Sequence, residues 1–140
     1  MKKTDDLLKS LSSYNDVQEY INKNQEEFIN TSISENLNRI IQEKGLVKSK
    51  VIKKSEITEI YGYQIFSGKK NPTRDYIIAL SIAMELTLDE TQQLLKSCEY
   101  PFLYAKIKRD SIIIFGINNH LDVPSINELL YDQNEDTLNI

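Results

Sequence analysis

ITEIYGYQIFSGKKNPTRD, residues 57–75, holds a helix end, a loop and a helix start in one short run. Its first part is apolar at helical spacing, and Gly68 supplies a left-handed stop that needs no Cβ. Lys69 and Lys70 then stand in a loop, and Asn71-Pro72-Thr73 opens the next helix with Thr73 as N-cap. A basic loop between two helix ends is suited to gripping phosphate.

Charge along the chain agrees with that reading. The 140 residues carry a net charge of −4, which argues against indiscriminate nucleic-acid binding. Residues 33–74, however, hold nine basic side chains against four acidic ones. Residues 1–32 hold four against six, and residues 75–140 four against eleven. The bland alternative is a solvated lysine face.

Outward from the loop, helices are expected throughout, giving an all-α chain. Residues 4–13 and 15–29 read as short amphipathic helices capped by Thr4 and Asn15. Ser32-x-x-Glu35 is a capping box, followed by Ile33, Leu37, Ile40 and Ile41 on one helical face and by Gly45 as a stop. Lys48–Ser55 forms a short helix with Val51 and Ile52 inward. Thr58 is placed to cap a helix running to Ser67. Ile77, Ile78, Leu80, Ile82 and Ala83 form the apolar face of the next helix, and Thr87-x-x-Glu90 is a second capping box.

A gapless shift of 35 residues lays RDYIIALSIAMELTLDETQQLLKSC over RDSIIIFGINNHLDVPSINELLYDQ. Arg74/Arg109, Asp75/Asp110, Ile77/Ile112, Ile78/Ile113, Ile82/Ile117, Leu86/Leu121, Leu94/Leu129 and Leu95/Leu130 are identical pairs. Each unit reads as helix, loop with a buried leucine, and a second helix opened by Thr87 or Ser125. Two stacked hairpins follow, with Arg74 and Arg109 each beside an Asp that suggests a local ion pair. The Tyr100–Tyr104 cluster reads as a packed turn between them.

Residues 48–73 resemble the helix-turn-helix of lambda-repressor-like (Xre-type) regulators. Val51 and Ile52 fall on that family's Leu-Ala pair, Ile57 on its apolar turn residue, and Ile65 on the late core residue of its recognition helix. Gly68-Lys69-Lys70-Asn71-Pro72-Thr73 falls on its Gly-basic-basic-Asn-Pro-Ser loop. The YGYQIFSGK and LYAKIKRDSIIIF segments also look like a group of small Xre-type proteins of Gram-positive bacteria.

The resemblance implies a lambda-repressor-like five-helix core over 33–98, an N-terminal helical extension over 1–32 and a C-terminal helical hairpin over 99–140. It implies sequence-specific binding of double-stranded DNA by a transcriptional regulator, as a homodimer. Glu59, Tyr63 and Gln64 would face base edges; Lys48, Lys50, Thr58, Ser67, Lys69, Lys70, Asn71 and Arg74 would meet the phosphate backbone. For Arg74 a structural ion pair is the equal alternative.

Three positions depart from the family pattern. Glu56 stands where the turn usually has Gly, so either the turn is altered or a non-glycine residue takes positive φ. Gly62 stands where an apolar core residue is usual, with Tyr61 or Tyr63 available to fill the gap. Lys48 replaces a buttressing glutamine. Glu56, Glu59 and Gly62 with the acidic net charge favour the runner-up, a protein-binding module or antitoxin that docks a partner through the C-terminal hairpin.

Nothing in the sequence suggests an enzyme, cofactor or metal site. His120 is the only histidine, Cys98 the only cysteine, and no phosphate-binding glycine loop or Cys/His ligand spacing occurs. His120 is expected at a helix end and Cys98 in the interior of a protein from a reducing cytoplasm. No apolar run approaches the ~20 residues of a membrane helix.

Overall fold

A computed structural model describes residues 8, 17–23 and 32–138. The chain divides into two units, Met1–Thr31 and Ser32–Ile140. In the first, the described helix is α1 (Val17–Lys23). Apart from the helical Leu8, the expected helix over 4–13 and the caps Thr4 and Asn15 lie outside the described residues.

The second unit contains α2 (Ile33–Glu43), α3 (Lys48–Ser55), α4 (Glu59–Ser67), α5 (Arg74–Ala83), α6 (Leu88–Ser97), α7 (Lys108–Asn118) and α8 (Val123–Asp132). No strand occurs among the described residues, so the all-helical expectation holds. None of their helices is long and apolar enough to cross a membrane.

The helix α5 is the pillar of the unit. Every residue from Ile77 to Ala83 is buried, and α5 packs against α3, α6 and α8. A helix apolar on all sides has to be wrapped by others. Here the wrapping comes from Val51 and Ile52 of α3, Leu94 and Leu95 of α6, and Ile126 and Leu130 of α8, all buried. Ser81, the one polar residue in that run, is satisfied by donating its hydroxyl to Ile77 O at 2.8 Å.

The 35-residue repeat is physical. Glu85 and His120 are both left-handed, with φ of 57° and 56°, and each is followed by a leucine whose N–H reaches back to the preceding helix. Leu86 N–H donates to Ser81 O at 3.1 Å, and Leu121 N–H to Gly116 O at 2.9 Å. Among the described residues the turn recurs with a leucine at Gly45 (φ 63°) and Leu46, where Leu46 N–H donates to Ile41 O at 2.9 Å, and without one at Glu99–Tyr100 and Asn134–Glu135. The distance in sequence of the Gly45 turn from the Glu85 turn is 40 rather than 35 residues, which hides it from a gapless shift.

The repeat also runs beyond the hairpins into the straps that follow them. Leu103 exchanges two bonds with the Gln92 amide, at 2.7 and 2.8 Å, while Leu138 N–H donates to the equivalent Asn127 at 2.8 Å. Both leucines are buried. The arginine–aspartate pairs, however, are not local. Neighbours in a helix point in different directions, so each Arg bonds the Asp of the other copy. Arg74 meets Asp110 at 3.0 and 3.3 Å, and Arg109 meets Asp75 at 2.8 and 3.0 Å.

Capping follows the sequence in part, and the bond described for Ser32–Glu35 is the one from Glu35 N–H to the Ser32 hydroxyl. Ser32, Thr73 and Thr87 accept from the third helical N–H, and Thr87–Glu90 closes a full capping box. Thr58 is at the N-cap position of α4 but makes no side-chain capping bond. The expected opening of α8 at Ser125 is corrected. Pro124 fits only the first turn, so the helix begins at Val123 with Asp122 as N-cap, accepting from Ser125 N–H at 2.9 Å.

Tyr100–Tyr104 is packed in part. Leu103 is buried and Tyr100 donates its hydroxyl to Pro72 O, but Phe102 and Tyr104 are exposed and meet edge to face. Cys98 is half-buried, and burial pushes its thiol up, away from the reactive thiolate. His120 is an exposed surface residue at the left-handed tip after α7.

Candidate nucleic-acid interface

Residues 48–73 form two short helices that touch, α3 and α4, and the loop leaving α4. The connection is tight. Ser55 is fully buried, donates its hydroxyl to Ile52 O at 2.6 Å and accepts from Ile57 N–H at 3.2 Å. Between them Glu56 takes φ 67° and ψ 4°, so the turn keeps a left-handed residue although its side chain is not glycine. Ile57 then plugs the core at 4% exposure.

Gly62 has a direct packing reason. A Cβ there would collide with the Ile52 side chain, so the missing side chain is what allows α4 to lie against α3. Neither tyrosine replaces it. Tyr61 is half-buried and packs edge to face on Tyr76, at 5.0 Å between ring centroids, while Tyr63 points outward at 41% exposure. The buried side of α4 is Gly62, Ile65 and Phe66. Its outer side is Glu59, Ile60, Tyr63, Gln64 and Ser67, with Gln64 the most covered of them. Ile60 was not among the expected contact residues, although its place one residue after Glu59 and one turn before Tyr63 and Gln64 was visible.

The far end of α4 is fixed from two directions. Asn38 of α2 donates to both Ser34 O and Phe66 O at 2.8 Å. Gly68, at φ 86°, closes the helix by donating to Ile65 O, and Lys70 N–H donates to Gln64 O at 3.2 Å. Ser67 turns its hydroxyl onto Gln64 O at 3.1 Å. Lys69, Lys70 and Asn71 are left exposed on a loop whose backbone is held.

The basic residues divide into two groups. Arg39 pairs with Glu43 at 3.8 Å and Lys44 with Glu90 at 2.9 Å. Arg74 commits four of its five N–H donors, to Asp110 and to the carbonyls of Pro101 and Phe102. Lys50, Lys53, Lys54, Lys69 and Lys70 make no ion pair among the described residues, and all five are exposed. Lys48 is half-buried with its ammonium 5.2 Å from the centre of the Phe66 ring, a cation–π contact that ties α3 to α4.

Ser49, Lys50, Lys53, Glu56, Glu59 and Tyr63 border one open groove of about 600 Å³ between α3 and α4. Two of the expected base-facing residues and one expected phosphate residue therefore share a surface. The N-termini of both helices open without a side-chain cap, at Val47 and Thr58, as does α7 at Ile107. Their first-turn N–H groups are correspondingly open to an acceptor. A larger cleft, about 670 Å³, is bordered by Glu56, Glu85, Asp122, Lys53, Lys54 and His120. Opposed charges there select neither anion nor cation. Among the described residues no cluster of three or more His, Cys, Asp or Glu could hold a metal ion.

Comparison with protein-family models, with curated proteins and with solved structures finds no match for this chain.

Proposed function

We propose that the chain binds duplex DNA in a sequence-dependent manner as a transcriptional regulator, with α3 and α4 acting as a lambda-repressor-like helix-turn-helix. One observation carries the reading. Exposed lysines without ion-pair partners among the described residues flank α4, Lys50 and Lys53 on the groove it shares with α3 and Lys69 and Lys70 in the loop after it, whereas Arg39, Lys44 and Arg74, in the same basic stretch, are paired with carboxylates. In this docking α4 enters the major groove. Gln64 offers its amide to adenine, Glu59 accepts from cytosine, and Tyr63 lies along the groove wall. Lys50, Lys69, Lys70 and Asn71 hold the phosphates, with Lys48, Thr58 and Ser67 beside them. Arg74 serves the fold in this arrangement, bonding Asp110 and the carbonyls of Pro101 and Phe102.

A homodimer acting in the cytoplasm completes the proposal, because one nine-residue recognition helix reads few bases and two half-sites multiply the discrimination. The test is selection of bound duplexes from a random pool at physiological salt. A palindromic site supports the dimeric regulator, and Gln64→Ala should then relax preference at individual positions. A folded sample that enriches no duplex sinks the reading.

A second reading has its own observation. Glu56 and Glu59 put two carboxylates on the same groove, and Phe102, Tyr104, Phe115 and Tyr131 are exposed in the C-terminal part. A protein-binding module or antitoxin would use those aromatic rings on a partner protein. Co-purification of one stoichiometric partner, with no duplex enriched, would favour it.

A further inference from the structure

Ile60 is 75% exposed, as exposed as any large apolar side chain among the described residues. Nothing in the fold asks for it. The core side of α4 is complete with Gly62, Ile65 and Phe66, and a β-branched residue is not a preferred helix former. Lone surface isoleucines are common, but this one sits within the outer face formed by Glu59, Tyr63, Gln64 and Ser67. Lys50 and Lys53 border the groove beside Glu59 and Tyr63, and Lys69 and Lys70 follow the helix. The four lysines carry charge without ion-pair partners among the described residues and outnumber the groove's two carboxylates, Glu56 and Glu59, so the occupant they complement is a polyanion.

We propose, on the basis of the DNA-binding reading above, that Ile60 is a specificity-determining residue that packs against the 5-methyl group of thymine. In the major groove that methyl is the one apolar group on a base edge, and an apolar side chain is what recognises it. Gln64 follows Ile60 by four residues, so the two lie about 6 Å apart along the helix axis. Base steps of roughly 3.4 Å place their targets about two base pairs apart. The half-site therefore contains a thymine for Ile60 and, about two steps away, an adenine for Gln64.

The experiment starts from the duplex selected by the wild-type chain. Each thymine in turn is replaced by deoxyuridine, which removes the methyl and keeps the pairing, and affinity is followed by fluorescence anisotropy. One position should lose about four-fold in affinity, the scale of one buried methyl group. Ile60→Ala should bind the thymine and uracil forms of that duplex equally. Exposed as it is, the substitution leaves the core intact.

A site with no uracil-sensitive thymine, or a penalty that persists in Ile60→Ala, overturns the Ile60 assignment and leaves DNA binding standing. Absence of any enriched duplex overturns both, and an Ile60→Ala variant that instead loses a protein partner assigns the residue to the protein-binding reading.

Discussion

Arg74 follows Thr73 at the start of α5, beside Asp75 in sequence, yet its guanidinium grips Asp110, 36 residues away, while Asp75 receives Arg109. The pairs are crossed between the two copies of the repeat. Each arginine also bonds two strap carbonyls, Pro101 and Phe102 for Arg74, Asp136 and Thr137 for Arg109. The Asp75 carboxylate raises the Arg109 pKa further, so the guanidinium stays charged across the accessible pH range. The Asp110 side chain is only 4% exposed and also accepts from Tyr104 N–H at 3.0 Å.

Removing Asp110 should therefore be costly. Asp110→Ala leaves the Arg74 charge without its partner and is expected to destabilise by roughly 2–4 kcal/mol. Urea unfolding of the two single variants and of the Arg74→Met/Asp110→Ala double variant checks it. A double variant as unstable as the sum of the singles would contradict direct coupling.

Gly62→Ala should destabilise by about 1–3 kcal/mol through overpacking against Ile52, despite the better helix propensity of alanine. Trimming the neighbour with Ile52→Ala in the same chain should recover part of the loss that Gly62→Ala causes. If Gly62→Ala raises the thermal midpoint, α3 and α4 are not in the contact described.

Glu56→Gly should stabilise by roughly 0.5–1 kcal/mol. The left-handed conformation costs a side chain about 1–2 kcal/mol, and part of that relief is offset by the greater freedom of glycine in the unfolded chain. The same change removes a carboxylate from the groove, so affinity for every duplex should rise slightly. A calorimetric midpoint and a binding isotherm read the two effects separately.

Lys69→Gln with Lys70→Gln should weaken binding to all duplexes alike and reduce the salt slope by about two. Both side chains are exposed and make no ion pair among the described residues, so folding should be unaffected. Loss of preference at one base position, with the slope unchanged, would contradict a phosphate role.

Two helix caps predict an acid limb. The Thr87 backbone N–H, and after it Lys44, lower the Glu90 pKa, and the Ser125 hydroxyl, followed by its backbone N–H, lowers that of Asp122. A carboxylate depressed in the folded state contributes stability above its ordinary pKa and loses it as pH falls through the folded value. Stability should thus decline below about pH 4, and Glu90→Gln should flatten part of that decline. Both groups face solvent, so each contributes under about 1 kcal/mol.

The helical periods, the caps Ser32, Thr73 and Thr87, and the 35-residue repeat were all legible, because each is a local pattern or an identity between aligned residues. The crossed pairing was not. Sequence neighbours suggest an Arg74–Asp75 pair, and only the packing of α5 against the following hairpins shows which carboxylate each arginine reaches. The Gly45 turn was read as a simple stop because its spacing from the next turn differs by five residues. At the candidate site, the basic loop and the outer face of α4 followed from Gly68 and from helical spacing. The neutralisation of Arg74 required a partner far along the chain, and Ile60 was passed over because an isoleucine in a short helix is ordinarily assigned to the core.

The crossed pairs also change how this chain can vary over generations. Arg74 and Asp110 form one unit of inheritance, Arg109 and Asp75 another, and neither matches a single copy of the repeat. A charge reversal at position 74 is tolerable only with a compensating reversal at position 110 in the other copy. The two hairpins, alike in sequence at 35-residue spacing, are thereby coupled in the substitutions they tolerate at these four positions.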